Sequence, residues 1–227
     1  RASFATGRYV HDCGYWDNAD PYDGAVKGWG HRLMEQGHMV VSIGKLHYRN
    51  ATDPTGFANQ IVPLHVVDGV GDLIGLIRDP LPERKAAAKY AKDTGRGESS
   101  YTAYDRNITS EAVRWLQEEA PKHTDKPWVL FVSLVCPPFP LIAPPEFYDL
   151  YPESEVALPP LYDAAGRPTH PYYAAMRYCI NYDKYFDEAS IRRAVAGYLG
   201  LCSFVDSNVG KLMDALDLTG LAANTRV

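Results

Sequence analysis

One unbroken apolar segment in the middle of the chain constrains the fold most. Residues 128–135 read WVLFVSLV, in which Ser133 is the single polar residue. Side chains alternate between the two faces of a strand, so a segment that is apolar on both faces predicts a strand buried on both sides, as in the middle of a parallel sheet. Consecutive prolines at 137–138 end this strand, because proline cannot donate to the ladder.

A predicted helix and a second predicted strand precede this segment. In residues 24–37, apolar residues recur at helical spacing and Gly37 provides a stop, which predicts an amphipathic helix. Residues 39–43 are β-branched and apolar and predict a short buried strand. A helix followed by a strand is typical of the α/β class, so we expect a largely parallel or mixed sheet flanked by helices.

The rest of the chain divides into predicted helices and irregular segments. Residues 108–119 predict a helix, and residues 191–216 predict a long one whose apolar stripe should lie in the core. Asp206 lies on that long helix and is interpreted as a structural, buried carboxylate. Residues 49–104 and 152–188 predict long irregular segments, the first of which we expect to cover a site.

Composition narrows the classes of partner. At 227 residues the chain is long enough for one large domain or two small ones. A net charge of -5 argues against nucleic acid as a partner, and no apolar run reaches the ~20 residues of a membrane-spanning helix. The 4 cysteines form no CxxC motif, which favours reduced thiols and a reducing, cytoplasmic compartment.

Gly44-Lys45-Leu46-His47 follows the strand predicted at 39–43. On an extended chain, residues two apart point the same way, so Lys45 and His47 would face one place. That place is the carboxyl end of a strand, where α/β sheets bind their ligands. These residues alone favour a surface lysine and a satisfied core histidine over an anion site. The anion site becomes the preferred interpretation only together with the first eight residues of the chain.

The first eight residues, RASFATGR, carry a family resemblance. They resemble the second half of the signature of type I sulfatases in the alkaline phosphatase superfamily, Cys (or Ser)-x-Pro-Ser-Arg-x-x-x-x-Thr-Gly. Arg1, Thr6 and Gly7 fall on the arginine, threonine and glycine of that signature. Residues 44–47 resemble the Gly-Lys-x-His of the same family.

The resemblance implies a fold and an activity. The fold would be alkaline-phosphatase-like, with residues 1–227 forming part of a single sulfatase-like catalytic domain that is incomplete at both ends. The activity would be hydrolysis of a small-molecule sulfate ester by a formylglycine nucleophile, which would lie four positions before Arg1. A divalent cation is implied as well, Ca²⁺ first and Mn²⁺ or Zn²⁺ as alternatives, with its ligands outside this chain. We expect residues 1–227 by themselves to be inactive and to bind no metal.

The resemblance also implies roles for individual residues. Lys45 and His47 would contact the sulfate group and the leaving-group oxygen, and Arg1 would order the nucleophile loop. Asn18 would place its amide on a substrate oxygen; capping a turn is its alternative role. Pro138 stands where the family has a histidine that is a candidate general acid, so protonation of the leaving group would pass to His47.

Two further histidines match no motif, and two other functions stay open. His65 and His170 lie in the irregular segments and are expected to be structural or on the surface. A phosphonate or phosphate ester hydrolase of the same superfamily is the first alternative, because it shares the site geometry. A non-catalytic sulfatase-like protein is the second, and Pro138 is the residue that favours it.

Overall fold

The computed structural model describes residues 1–71 and 79–227. The described residues form two compact units. The first is built from the segments Arg1–Leu73, Asp105–Val135 and Asn208–Val227, and the second from Ile74–Tyr104 and Cys136–Ser207.

The chain combines helices and strands, as the sequence predicts. The helices are α1 (Ala2–Thr6), α2 (Val10–Cys13), α3 (Trp29–Glu35), α4 (Ala86–Lys92), α5 (Ser100–Glu118), α6 (Pro145–Tyr148), α7 (Pro171–Ile180) and α8 (Glu188–Leu218). The strands are β1 (Met39–Lys45), β2 (Asn59–Leu64), β3 (Thr94–Arg96), β4 (Trp128–Ser133) and β5 (Leu141–Ala143).

A parallel sheet of β2, β1 and β4, in that order, organises the first unit. Within it β1 is central: Val41 pairs with Asn59 of β2 on one side and with Leu130 of β4 on the other. The interior of β1 is fully buried, whereas all six residues of β4 are half-buried. The prediction of parallel strands is confirmed, and the expected burial of β4 on both sides is wrong for the described residues.

A groove explains the partial exposure of β4. It has a volume of about 1080 Å³ and runs along β4 beside the last part of α8, where Leu212, Met213 and Leu216 line it. Met213 is 38% exposed and Val209 is 41% exposed. The apolar stripe of α8 is therefore only partly core, contrary to the sequence prediction.

The carboxyl end of β1 is shaped by Gly44. Its φ of +100° lies in the left-handed region, and the pairing of β1 with β2 shifts register between Ile43 and Lys45. A Cβ atom at Gly44 would lie 2.4 Å from the carbonyl oxygen of Ser133 and 2.7 Å from Cδ1 of Ile108. Only glycine fits there, so the end of β1 can touch both β4 and α5.

A small core seats α1 against the same strand end. It consists of Ala2, Ala5, Cys13, Tyr22, Leu46 and Tyr48. Small residues in α1 allow this close packing. Gly7 ends the helix in the left-handed conformation, with a φ of 67°.

The second unit has its own sheet and core. Strands β3 and β5 pair in parallel, with Thr94 opposite Leu141. A cluster that includes Leu141, Ala143, Leu201 and Phe204 forms the core of this unit.

Several elements differ from their sequence predictions. Helix α5 begins at Ser100 rather than at residue 108, and β2 lies within the segment 49–104 that was predicted to be irregular. Helix α7 lies within 152–188, where Pro171 occupies the first turn, a position that tolerates the missing donor. Residues 72–78 of the predicted covering segment lie outside the described residues.

The prediction of a buried carboxylate at Asp206 is wrong. Asp206 is exposed, and Asn208, two residues further along α8, is buried instead. A helix turns about 100° per residue, so a shift of two positions moves a side chain to another face.

Two further observations concern membrane-spanning helices and the cysteines. Across residues 1–71 and 79–227, no helix combines the length and apolarity that crossing a bilayer requires. Cys13, Cys136, Cys179 and Cys202 are free thiols.

Candidate anion site

Arg1 precedes α1 and binds the backbone that leaves β1. Its Nη1 atom donates to the carbonyl oxygen of Lys45 at 3.3 Å and to that of Leu46 at 3.1 Å. Partial burial of the guanidinium lowers the pKa of Arg1 below its ordinary value. The arginine of the RASFATGR motif is thus attached directly to the GKLH motif.

Lys45 ends β1 and is half-buried. Burial lowers the pKa of its ammonium group, and the positive charge of Arg1 lowers this pKa further. The negative charge of Asp105 raises the pKa of Lys45. A half-buried lysine beside a second cation is electrostatically prepared to receive an anion.

His47 does not continue the strand. Its φ is 55°, and both Leu46 N–H and His47 N–H donate to the carbonyl oxygen of Leu64, at 3.2 and 2.7 Å. The extended geometry that the sequence suggested for Lys45 and His47 is therefore wrong, because the chain turns after Gly44.

The turn nevertheless keeps His47 close to the charged groups of Arg1 and Lys45. Burial lowers the pKa of His47 below its ordinary 6.5, and the charges of Lys45 and Arg1 lower it further. His47 is consequently neutral near pH 7. Arg1, Lys45 and His47 form one electropositive cluster at the carboxyl end of β1, which we call the anion site.

His65 follows β2 and lies beside this site. Val66 N–H donates to the carbonyl oxygen of Tyr48 at 3.0 Å, so the chain after β2 continues alongside the chain after β1. Nε2 of His65 is 3.0 Å from Oε1 of Gln60, which in turn donates from Nε2 to Thr55 Oγ1 at 3.2 Å. Burial lowers the pKa of His65 as well, and the charge of His65 contributes to the lowered pKa of His47. The expectation of a structural or surface histidine omitted this electrostatic link.

Asn18 lies in an exposed loop. Its carbonyl oxygen accepts from Gly71 N–H at 2.8 Å, and Ala19 N–H donates to Asp17 Oδ1 at 2.7 Å in the same turn. Within the described residues, Asn18 makes no hydrogen bond to Arg1, Lys45 or His47. The geometry thus shows a loop residue whose amide side chain is exposed.

Asp105 is the residue of this region that the sequence interpretation missed. It is fully buried on α5 and accepts a hydrogen bond from Val135 N–H at 2.7 Å. The predicted helix began at residue 108, so Asp105 was left outside it. The missed signal is its spacing: Asp105, Ile108 and Ala112 share the buried face of α5.

Pro138 belongs to the second unit and is exposed. It lines a cavity of about 990 Å³ together with Phe139, Tyr182 and Phe186. A proline side chain has no proton to donate, so Pro138 cannot act as a general acid.

The chemistry of the anion site does not fit a resident divalent cation. Its side chains are two cations and a neutral imidazole, whereas Ca²⁺ requires several oxygen ligands. Among the residues that the structure describes, no group of three or more His, Cys, Asp or Glu side chains is placed to hold a metal ion.

The curated proteins that this chain resembles in sequence are sulfatases. No family model matches the chain. A choline-sulfatase of Rhizobium meliloti is 25% identical over 239 residues, which cover 100% of this chain and 46% of the relative. A sulfatase of Formosa agariphila is 26% identical, covering 85% and 38%, and an arylsulfatase K of Bos taurus is 27% identical, covering 100% and 42%. The chain spans about half the length or less of these curated relatives.

Solved structures share the fold. A phosphonate monoester hydrolase of Agrobacterium radiobacter superposes with a TM-score of 0.63 at 16% identity, covering 96% of this chain and 49% of that one. A protein solved in complex with its substrate D-glucosamine-2-N,6-O-disulfate gives a TM-score of 0.58 at 16% identity, covering 96% and 52%.

The fold therefore defines the class: the chain has the alkaline-phosphatase-like α/β fold of sulfatases and phosphonate monoester hydrolases. The sequence relatives named above are sulfatases, at 25–27% identity to this chain.

Proposed function

We propose that this chain is the part of a sulfuric ester hydrolase that binds the sulfate group of the substrate. The observation that carries the proposal is the convergence of Arg1, Lys45 and His47 at the carboxyl end of β1. A guanidinium, an ammonium and an imidazole suit a tetrahedral oxyanion. The relatives are named as sulfatases, which supports a sulfate ester as the substrate. These three residues are the proposed catalytic residues.

Each residue has a distinct role in the proposal. Lys45 offers an ammonium group to a sulfate oxygen, where a preorganised cation stabilises the charge that develops during transfer. Arg1 uses Nη1 to fix the Lys45–Leu46 backbone, and its charge adds to the positive potential. The negative charge of a bound sulfate ester, which is a monoanion, raises the pKa of His47, so His47 can take up a proton and donate it to the leaving oxygen. Pro138 cannot replace it in that role.

Asn18 is proposed as a substrate-binding residue with its exposed amide as the donor. The family resemblance adds a formylglycine nucleophile and a divalent cation, with Ca²⁺ ahead of Mn²⁺ and Zn²⁺. The chemistry that these groups supply when present is attack on sulfur and neutralisation of its oxygens.

Two measurements test the proposal. The first titrates residues 1–227 with sulfate, followed by NMR, and compares Lys45→Met with Lys27→Met. Lys27 is an exposed lysine that is ion-paired with Glu35, so it controls for loss of one surface charge. Sulfate should shift the resonances of residues 44–47 in the wild type and in the Lys27 variant, and at least tenfold more sulfate should be needed in the Lys45 variant.

The second measurement assays the full product of the gene that encodes these residues. The substrates are 4-nitrophenyl sulfate, choline sulfate, D-glucosamine-2-N,6-O-disulfate and a phenyl phosphonate ester. Hydrolysis of a sulfate ester faster than the phosphonate ester, lost in Lys45→Met, supports the proposal. Faster hydrolysis of the phosphonate ester contradicts it in favour of the phosphonate hydrolase, and binding without hydrolysis contradicts it in favour of a non-catalytic protein.

A further inference from the structure

Asp105 is a fully buried carboxylate to which the proposed function assigns no role. Burying a carboxylate costs several kcal/mol unless hydrogen bonds and opposite charges compensate for the lost water. Its oxygen Oδ1 accepts from Val135 N–H at 2.7 Å, just beyond the end of β4. The buried carboxylate of Asp105 therefore holds the chain just after the end of β4.

Helix α5 is fixed over the ends of two strands. Ile108, one turn after Asp105, packs against Gly44 so closely that a Cβ atom on Gly44 would lie 2.7 Å from its Cδ1. Gly44 pairs with Ser133, two residues before Val135. The carboxylate of Asp105 is consequently placed at the strand ends from which Lys45 emerges.

The negative charge of Asp105 offsets the positive charge that Arg1 places near Lys45. The positive charge of Arg1 opposes protonation of Lys45, and the neutral imidazole of His47 does not offset it. Asp105 is the negative group that acts on Lys45 from α5 and favours its charged form. A negative charge near a half-buried ammonium offsets a neighbouring guanidinium and favours the protonated form.

We propose that Asp105 is a positioning residue for Lys45: it holds the chain just after β4 through Val135 N–H and places a negative charge at the strand ends that favours the ammonium form of Lys45. Asp105 is buried and touches no ligand itself. Its effect reaches an anion only through Lys45. This inference rests on the proposed function for its consequence, but the charge relationship can be measured without any substrate.

The test is a titration of Lys45 in residues 1–227. Lysine side chains labelled with ¹³C and ¹⁵N are followed by NMR from pH 7 to 12, and the Lys45→Met variant assigns the Lys45 signal. Asp105→Asn is the test variant, because the amide oxygen can still accept from Val135 N–H. Glu111→Gln is the matched control, since it removes a carboxylate from the same helix that is paired with Arg114.

The midpoint of Lys45 deprotonation should fall by about one pH unit in D105N, the lower end of what a neighbouring opposite charge produces. It should be unchanged in E111Q. The pH above which sulfate binding is lost should move down with it in D105N. Hydrogen exchange of the Val135 amide checks that the strand end is intact, and Asp105→Ser provides the same readout if D105N does not fold.

An unchanged Lys45 midpoint in a folded Asp105 variant would overturn the inference and leave Asp105 a purely structural role. Failure of the proposed function has a different signature. In that case sulfate does not bind to the wild type, although the Lys45 midpoint still falls in D105N.

Discussion

Nη1 of Arg1 lies 3.1 Å from the carbonyl oxygen of Leu46, which joins residues 45 positions apart in sequence. The same nitrogen also donates to the carbonyl of Lys45. This hydrogen bond holds the backbone between Lys45 and His47. The Leu46 side chain lies in the same core cluster as Ala2 and Ala5. The two motifs that point to sulfate chemistry are therefore one structural unit.

Arg1→Ala should weaken this unit. Two hydrogen bonds to backbone carbonyls are lost, and at a partly exposed position we expect a decrease of about 1 kcal/mol in the free energy of unfolding. Sulfate binding should weaken severalfold, because a neighbouring cation is removed. Urea denaturation and sulfate titration measure the two effects. Arg8→Ala, an exposed arginine after the same helix, is the control, and an equal loss in both variants would contradict the role of Arg1.

Gly44→Ala should destabilise the first unit strongly. The added methyl group would meet Ser133 O at 2.4 Å and Ile108 Cδ1 at 2.7 Å, and the φ of +100° is unfavourable for alanine. Overpacking together with backbone strain costs about 3 kcal/mol.

Gly220→Ala separates the cost of backbone strain from the cost of overpacking. Gly220 has a φ of +71° and open space around its Cβ position, so this variant should lose only about 1 kcal/mol. Equal thermal stabilities for the two alanine variants would show that the contact between Gly44, β4 and α5 is not tight.

Stability should decrease as the pH falls through the histidine range. Burial lowers the pKa values of His47 and His65 in the folded state, whereas in the unfolded state both are near 6.5. Below about pH 6.5 the unfolded chain binds protons that the folded chain does not, so stability is fully present above this pH and is lost as the pH falls toward the folded pKa values.

His47→Asn should reduce this loss while keeping a residue type that tolerates the left-handed φ of 55°. Urea denaturation at intervals from pH 8 to pH 5 measures it, with His11→Asn at an exposed position as the control. If the stability of the His47 variant falls with pH as steeply as that of the wild type, His47 is not the origin of the effect. Sulfate should oppose the loss, because a bound anion raises the pKa of His47.

Ser42→Ala should raise stability or leave it unchanged. Ser42 lies in the middle of β1, and its buried hydroxyl has no hydrogen-bond partner among the described residues. Removing an unsatisfied hydroxyl from an apolar setting should gain up to about 1 kcal/mol.

Ser190→Ala is the matched substitution of a buried serine whose hydroxyl is satisfied. Ser190 Oγ donates to Asp187 and accepts from Asp187 N–H at 2.8 Å, capping the start of α8. This variant should lose about 1 kcal/mol. Thermal denaturation of both proteins tests the pair, and a destabilised S42A would reveal a partner for that hydroxyl.

Local sequence patterns determined much of the fold. The apolar segment from Trp128 predicted β4, and the helical periodicity of the later chain predicted α5 and α8, because these signals depend only on neighbouring residues. RASFATGR and GKLH indicated the residues of the anion site, which remain proposed catalytic residues. Strand β2 was missed because its apolar pattern is short and is interrupted by Pro63.

Tertiary contacts decided the rest. The sequence placed Lys45 and His47 together by strand alternation, but it is the turn after Gly44, bound to Leu64 and Arg1, that keeps them together. Asp105 gained its relation to Lys45 only when α5 packed on the ends of β1 and β4. Residue types and periodicity are local properties and can be read from the sequence, whereas the charge and burial around a side chain depend on residues distant in sequence that only the folded chain brings near.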